Sequence, residues 1–110
     1  MMRVVDADQQ LLEEIVGRLA AAAQPARVIV FGSVATSTAG TDSDFDLLVL
    51  LDDVTDPRAE SVRLRRVLRG IAVPLDVVVM ATQRFEETKH VVGGLAYPAH
   101  HYGRVIYEAA

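Results

Sequence analysis

Three aspartates lie at or inside apolar runs that are typical of buried strands: Asp44, Asp46 and Asp76. Asp44 and Asp46 are two residues apart in "DFDLLVLL", so in a strand their side chains leave the same face. Burying ionised carboxylates without compensation costs several kcal/mol, and two carboxylates on one face repel each other. A divalent cation removes both problems, and oxygen ligands with no histidine or cysteine nearby favour Mg²⁺ or Mn²⁺ over zinc. If the strand that contains Asp46 and the strand that contains Asp76 are neighbours, Asp76 can join the same site.

A Gly-Ser pair supplies a candidate phosphate-binding turn to accompany the candidate metal site. Gly32 and Ser33 directly follow the apolar run "RVIVF". Glycine permits close backbone approach, and the amides of such a turn together with the Ser33 hydroxyl can bind phosphate oxygens. A turn serine that bonds its own backbone is the alternative for Ser33. The strand, the Gly-Ser turn and the acids together predict a site for a triphosphate and a metal ion.

The hydrophobic pattern predicts the elements that must position these residues. Apolar residues at helical spacing alternate along the chain with short β-branched runs. The predicted order is helix 6–23, strand 27–31, loop 32–43, strand 44–51, helix 52–70, strand 73–80, helix 82–91, a helical turn at 97–102 and a strand or helix end at 104–108. This order predicts an α/β (α+β) domain with a small mixed sheet and helices packed on one face.

Cap residues and buried stripes refine this prediction. Asp56 is expected to cap the second helix with Pro57 at its first position, and Thr82 is expected to cap the third. The buried stripe of the second helix is predicted to be Val62, Val67, Leu68 and Ile71. Its arginines are expected on a solvated face, with contacts to a partner or a nucleotide as the alternative. The histidines fit no spacing typical of metal ligands and are expected at the surface: His90, His100 and His101.

Composition narrows the class of protein. The chain has 110 residues, a formal net charge of −4 and no cysteine. Disulfides, thiolate zinc sites and cysteine nucleophiles are therefore excluded, and unaided binding to a nucleic-acid backbone is not expected. No apolar run approaches the ~20 residues that a membrane span needs. We expect one domain over residues 1–110 in a cytoplasmic protein without membrane contact.

The stretch "GSVATSTAGTDSDFD" contains G-S, ten further residues and then D-x-D. With its flanking strands and Asp76, the chain resembles the DNA polymerase β-type nucleotidyltransferases, and most closely their smallest members, the minimal nucleotidyltransferases (MNT proteins). The resemblance extends from "VIVFGS" to "GRVIYE". It implies a polymerase β-like fold and transfer of a nucleoside monophosphate from a nucleoside triphosphate, with release of pyrophosphate.

The resemblance also implies a role for each site residue. Gly32 and Ser33 would contact the nucleotide phosphates. Asp44 and Asp46 would bind Mg²⁺ or Mn²⁺. Asp76 would bind the catalytic metal and help to deprotonate the attacking hydroxyl.

MNT proteins are commonly paired with a helical HEPN protein. The resemblance therefore implies a hetero-oligomer in which this chain is an antitoxin that transfers AMP from ATP to a tyrosine of a HEPN toxin. Many relatives carry Arg and Gly where this chain has Val34 and Ser37, so its loop is less basic. Two alternatives stay open: a non-catalytic antitoxin that acts by contact alone, and a nucleotidyltransferase with a small-molecule acceptor.

Overall fold

The computed structural model describes residues 4–31, 45–71 and 73–109, with side chains from residue 9 onward. Four helices and four strands form within these ranges. In chain order they are α1 (Val4–Ala23), β1 (Arg27–Phe31), β2 (Phe45–Leu51), α2 (Pro57–Val67), β3 (Leu75–Ala81), α3 (Thr82–Thr88), α4 (Ala96–Tyr102) and β4 (Arg104–Glu108).

The four strands form one mixed sheet in the order β3-β2-β1-β4. β1 pairs antiparallel with both β2 and β4, whereas β2 and β3 are parallel and are connected through α2. A parallel pair requires such a crossover, because the chain must return to the same end of the sheet before it re-enters. The predicted class, a mixed sheet in an α/β domain, is confirmed.

Alternate residues of the central strand β2 face opposite sides of the sheet. Leu47 and Val49 belong to a core that α1 and α2 cover with Ile15, Leu19 and Leu64. The opposite core contains these residues: Ile29, Leu48, Leu50, Phe85, Ala96 and Ala99. The prediction of helices on one face therefore describes the two longer helices, while the seven-residue helices α3 and α4 cover the other face.

Helix α2 begins as predicted, and of the predicted buried stripe Val67, Leu68 and Ile71 meet the core whereas Val62 does not. The Asp56 carboxylate accepts a hydrogen bond from the Ala59 amide at 3.1 Å, which confirms the cap. Val62 was predicted to be buried and is 41% exposed, whereas Leu64 is fully buried. Two residues correspond to about 200° around a helix, so Val62 lies on nearly the opposite side from Leu64, and the apolar pattern alone does not distinguish the two positions.

The N-terminus of α3 also differs from the prediction. Ala81 occupies the cap position and gives no side-chain cap, so Thr82 is the first helical residue rather than the cap. The buried Thr82 Oγ1 has no hydrogen-bond partner within the described part of the chain. The strand β3 runs directly into α3 without a loop. Ala81 is therefore both the last residue of β3 and the cap position of α3, and its side chain cannot accept a hydrogen bond.

A close approach at Gly103 positions α4 against the sheet. A Cβ atom at this residue would collide with the Ala99 carbonyl oxygen and lie 2.6 Å from the Cγ2 of Ile29. Glycine therefore permits the chain to leave α4 and enter β4 beside β1. None of the helices in the described ranges is both long enough and apolar enough to cross a membrane.

Candidate active site

Two of the three predicted acids are neighbours in the sheet. Asp46 and Asp76 are direct partners in the parallel register of β2 and β3, and each is the second residue of its strand. Neighbouring strands lie ~4.8 Å apart, and paired residues of a parallel ladder project from the same face. Asp46 lies two residues before Leu48 and so leaves the same face of the sheet. That face is the one that α3 and α4 cover, and both carboxylates project from it. We call Asp46 and Asp76 the acid pair.

The remaining predicted site residues lie outside the described part of the chain. These are Gly32, Ser33 and Asp44, together with Val34 and Ser37 of the same loop. The proposed phosphate contacts and the third carboxylate therefore stay predictions. The acid pair is the portion of the predicted site that the structure describes.

Asp76 is more exposed than its apolar neighbours in the sequence suggested. β3 is an edge strand, and 59% of the Asp76 side chain is accessible. Asp76 therefore lacks the core environment that its apolar neighbours suggest. Val77, the next residue of the same strand, is 1% exposed, so the difference depends on which face of β3 each side chain leaves. The reason to expect a cation there is its adjacency to Asp46 rather than burial of an uncompensated charge.

An arginine of α2 contacts the acid pair. The Nη2 of Arg65 lies 3.1 Å from the Oδ1 of Asp76 and donates a second hydrogen bond to the carbonyl oxygen of Val77 at 3.3 Å. The sequence assigned this arginine to a solvated face. The i, i+4 pattern of α2 shows which residues share a side of the helix, but the reach of Arg65 around the edge of the sheet depends on how α2 crosses β3.

A serine fixes α2 against β3. The hydroxyl of Ser61 donates to the carbonyl oxygen of Pro57 at 2.8 Å and accepts from the amide of Val79 at 2.9 Å. This hydrogen bond joins the helix that carries Arg65 to the strand that carries Asp76. Ser61 therefore has a positioning role that the sequence did not reveal.

A groove of about 460 Å³ lies between the C-terminal half of α2 and the start of β3. Its lining includes Arg65, Arg66 and Arg69, and also Leu75, the residue before Asp76. The groove lies on the α2 side of the sheet, opposite the face from which the acid pair projects, and Arg65 is the groove residue whose contact with Asp76 the structure describes. The three guanidinium groups give this groove positive charge that could meet an anionic group of a nucleotide or a partner.

The resolved pKa shifts belong to other parts of the surface. A hydrogen bond from Arg63 lowers the pKa of Glu60, and a hydrogen bond from Lys89 lowers the pKa of Glu86. The pKa of His100 is lowered chiefly by desolvation, with a further contribution from the charge of Lys89.

The mixed sheet with two carboxylates at the head of neighbouring parallel strands defines the class of protein, a nucleotidyltransferase-like α/β domain. The family model described as "Nucleotidyltransferase domain" matches residues 11–95. The chain belongs to this family and is a nucleotidyltransferase. A search of curated proteins finds no match.

Solved structures share the fold. A chain of a toxin–antitoxin complex with AMP-PNP superimposes with a TM-score of 0.60 at 18% identity, over 89% of this chain and 73% of that chain. A chain of the MntA–HepT toxin–antitoxin complex gives 0.55 at 17% identity, over 92% and 73%. A complex of a tri-AMPylated Shewanella oneidensis HEPN toxin with its MNT antitoxin gives 0.56 at 20% identity, over 92% and 73%. These likenesses confirm the expected fold.

Proposed function

We propose that this chain is an antitoxin that transfers AMP from ATP to a tyrosine hydroxyl of a HEPN-type toxin, in a reaction that requires Mg²⁺ or Mn²⁺. The observation that carries the proposal is the register of Asp46 with Asp76 in a member of the nucleotidyltransferase family. The similar structures include one toxin–antitoxin complex with AMP-PNP and one with a tri-AMPylated toxin. Both support adenylyl transfer within a hetero-oligomer.

The donor set of the acid pair fits the proposed ion. Two carboxylates on one face of adjacent strands are the hard oxygen ligands that Mg²⁺ and Mn²⁺ prefer. Asp44 would complete the set, and Gly32 with Ser33 would hold the phosphates. When bound, the ion neutralises negative charge that develops on the transferred phosphate.

The protein residues then perform two tasks. The acid pair would hold the ion, and the Asp76 carboxylate would help to remove the proton of the attacking hydroxyl. The acceptor oxygen forms a bond to the α-phosphorus while the bond from that phosphorus to the bridging oxygen breaks, and pyrophosphate leaves. Arg65 would fix the position of the Asp76 carboxylate through its contact at 3.1 Å.

The test uses ATP labelled at the α-phosphate, Mg²⁺ and the HEPN-type protein that co-purifies with this chain. We expect label on a tyrosine of the partner, and initial labelling rates at least about 10²-fold lower with Asp46→Asn or Asp76→Asn. Asp53→Asn is the matched control, since Asp53 is exposed and lies beyond the far end of β2. Undiminished labelling with both active-site substitutions combined would contradict the proposal.

The same variants separate the two alternatives. If the wild-type chain neutralises the toxin without labelling it, and the double variant does so equally well, the non-catalytic antitoxin is correct. If label appears on an added small molecule and never on the partner, the acceptor is not a protein.

A further inference from the structure

All three histidines of the chain meet at one place. His90 follows α3, whereas His100 and His101 belong to α4. The ring centres are 5.0 Å apart for His90 and His100, 5.5 Å for His90 and His101, and 4.9 Å for His100 and His101. We call these residues the histidine cluster. The prediction that these histidines lie at the surface is confirmed, and their proximity is what the spacing in the sequence did not indicate.

The spacing of the rings matches that of imidazoles around one metal ion. A zinc ion lies about 2.1 Å from each ligating nitrogen, so tetrahedral geometry places the ring centres about 5 Å apart. One nitrogen from each histidine already lies within 4.8 Å of the other two. All three side chains are exposed, and rotation about their side-chain bonds can bring the nitrogens closer without repacking the core.

The imidazole nitrogens are available as ligands. Within the described ranges, the three rings contact one another and nearby aromatic rings, and no hydrogen bond occupies their nitrogens. Imidazole is a good ligand for zinc, copper, nickel and cobalt, whereas Mg²⁺ takes oxygen ligands. The chemistry of this cluster therefore differs from that of the acid pair.

We propose that His90, His100 and His101 form a binding site for one divalent transition-metal ion of the zinc class. Three protein ligands leave a fourth position that water or a further ligand can take. The ion would join the segment after α3 to α4, and thereby hold both short helices against the second face of the sheet. The site does not depend on the proposed transfer reaction.

The test is a titration of the full chain, without a polyhistidine tag and after treatment with chelator, with Zn²⁺ and separately with Co²⁺. We expect one Zn²⁺ per chain with a dissociation constant of about 1 μM or tighter, by calorimetry. The visible spectrum of bound Co²⁺ should be that of a tetrahedral or five-coordinate site. Zn²⁺ should raise Tm, because an ion that binds only the folded state stabilises it. At the same concentration, Mg²⁺ should neither bind to the histidine cluster nor raise Tm.

Single variants assign the ligands. His90→Gln, His100→Gln and His101→Gln should each weaken Zn²⁺ binding at least about tenfold. Gln83→Ala is the matched control, since it changes an exposed uncharged residue of α3 that bonds to Glu87 and should leave binding intact. Circular dichroism without metal checks that each variant folds. Equal affinity of the wild-type chain and the three histidine variants would overturn the proposal, as would binding only at millimolar Zn²⁺.

Discussion

The acid pair and the histidine cluster are positioned by different kinds of structure. Asp46 and Asp76 are adjacent because two parallel strands fix their register, so the backbone ladder sets the spacing of the carboxylates. The histidines approach one another because the segment after α3 folds beside α4, and no regular ladder joins the two. The backbone alone therefore sets the first spacing, whereas the proposed ion would fix the second.

The largest expected effect is that a variant of each region loses the function of that region alone, AMP transfer for the acid pair and Zn²⁺ binding for the histidine cluster. Asp46→Asn should lower AMP transfer about 10²–10³-fold and leave Zn²⁺ affinity unchanged, because it removes a ligand of the transferring site alone. His101→Gln should lower Zn²⁺ affinity and leave transfer unchanged. Initial rates with labelled ATP and zinc calorimetry on both variants make the comparison. If either variant impairs both activities, the two regions are coupled and the comparison fails.

A smaller effect is expected where α4 meets the sheet. Gly103→Ala should lower the free energy of unfolding by about 1–3 kcal/mol, because its Cβ would collide with backbone at Ala99 and crowd Ile29. Urea denaturation measures this loss. Gly94→Ala is the control, since a Cβ there meets one atom, the Val91 carbonyl oxygen, at 3.5 Å. If the two alanine variants are equally stable, the close approach at Gly103 does not hold α4 in place.

The smallest effect concerns the support of the acid pair. Ser61→Ala should cost about 1 kcal/mol of stability, because the Val79 amide loses the hydroxyl that accepts its hydrogen bond at 2.9 Å. Val62→Ser, at the neighbouring exposed position, should change stability by less than about 0.5 kcal/mol. Thermal unfolding of both variants tests this ranking. A larger loss of stability for Val62→Ser than for Ser61→Ala would indicate that Val62 is buried.

The sequence predicted the sheet better than it predicted the helices. Short apolar runs predicted β1, β2 and β3, whereas the segment of β4 was left open as a strand or a helix end. The two-residue period placed Asp46 and Asp76 on a common face once their strands were neighbours. The sequence left open whether Asp76 lies in a core or faces solvent from an edge strand, and the structure has the edge strand. Strand order is a long-range property, and alternation within one strand carries little information about it.

The errors in the helices have the same physical origin. Leu64 rather than Val62 enters the core because the crossing of α2 over the sheet selects one side of the helix. Arg65 meets Asp76 for the same reason. In the histidine cluster, His90 is ten positions from His100, which is adjacent to His101 in the sequence. This spacing does not indicate a cluster until α3 and α4 pack together.

The contacts of α2 with β3 limit how this protein can join another sheet. Ser61 binds the amide of Val79 and Arg65 binds the carbonyl oxygen of Val77, so side chains of α2 occupy one donor and one acceptor of the β3 backbone. Exposed edges of sheets are templates for strand addition. A strand from another molecule that paired with these two groups would have to displace the side chains of Ser61 and Arg65.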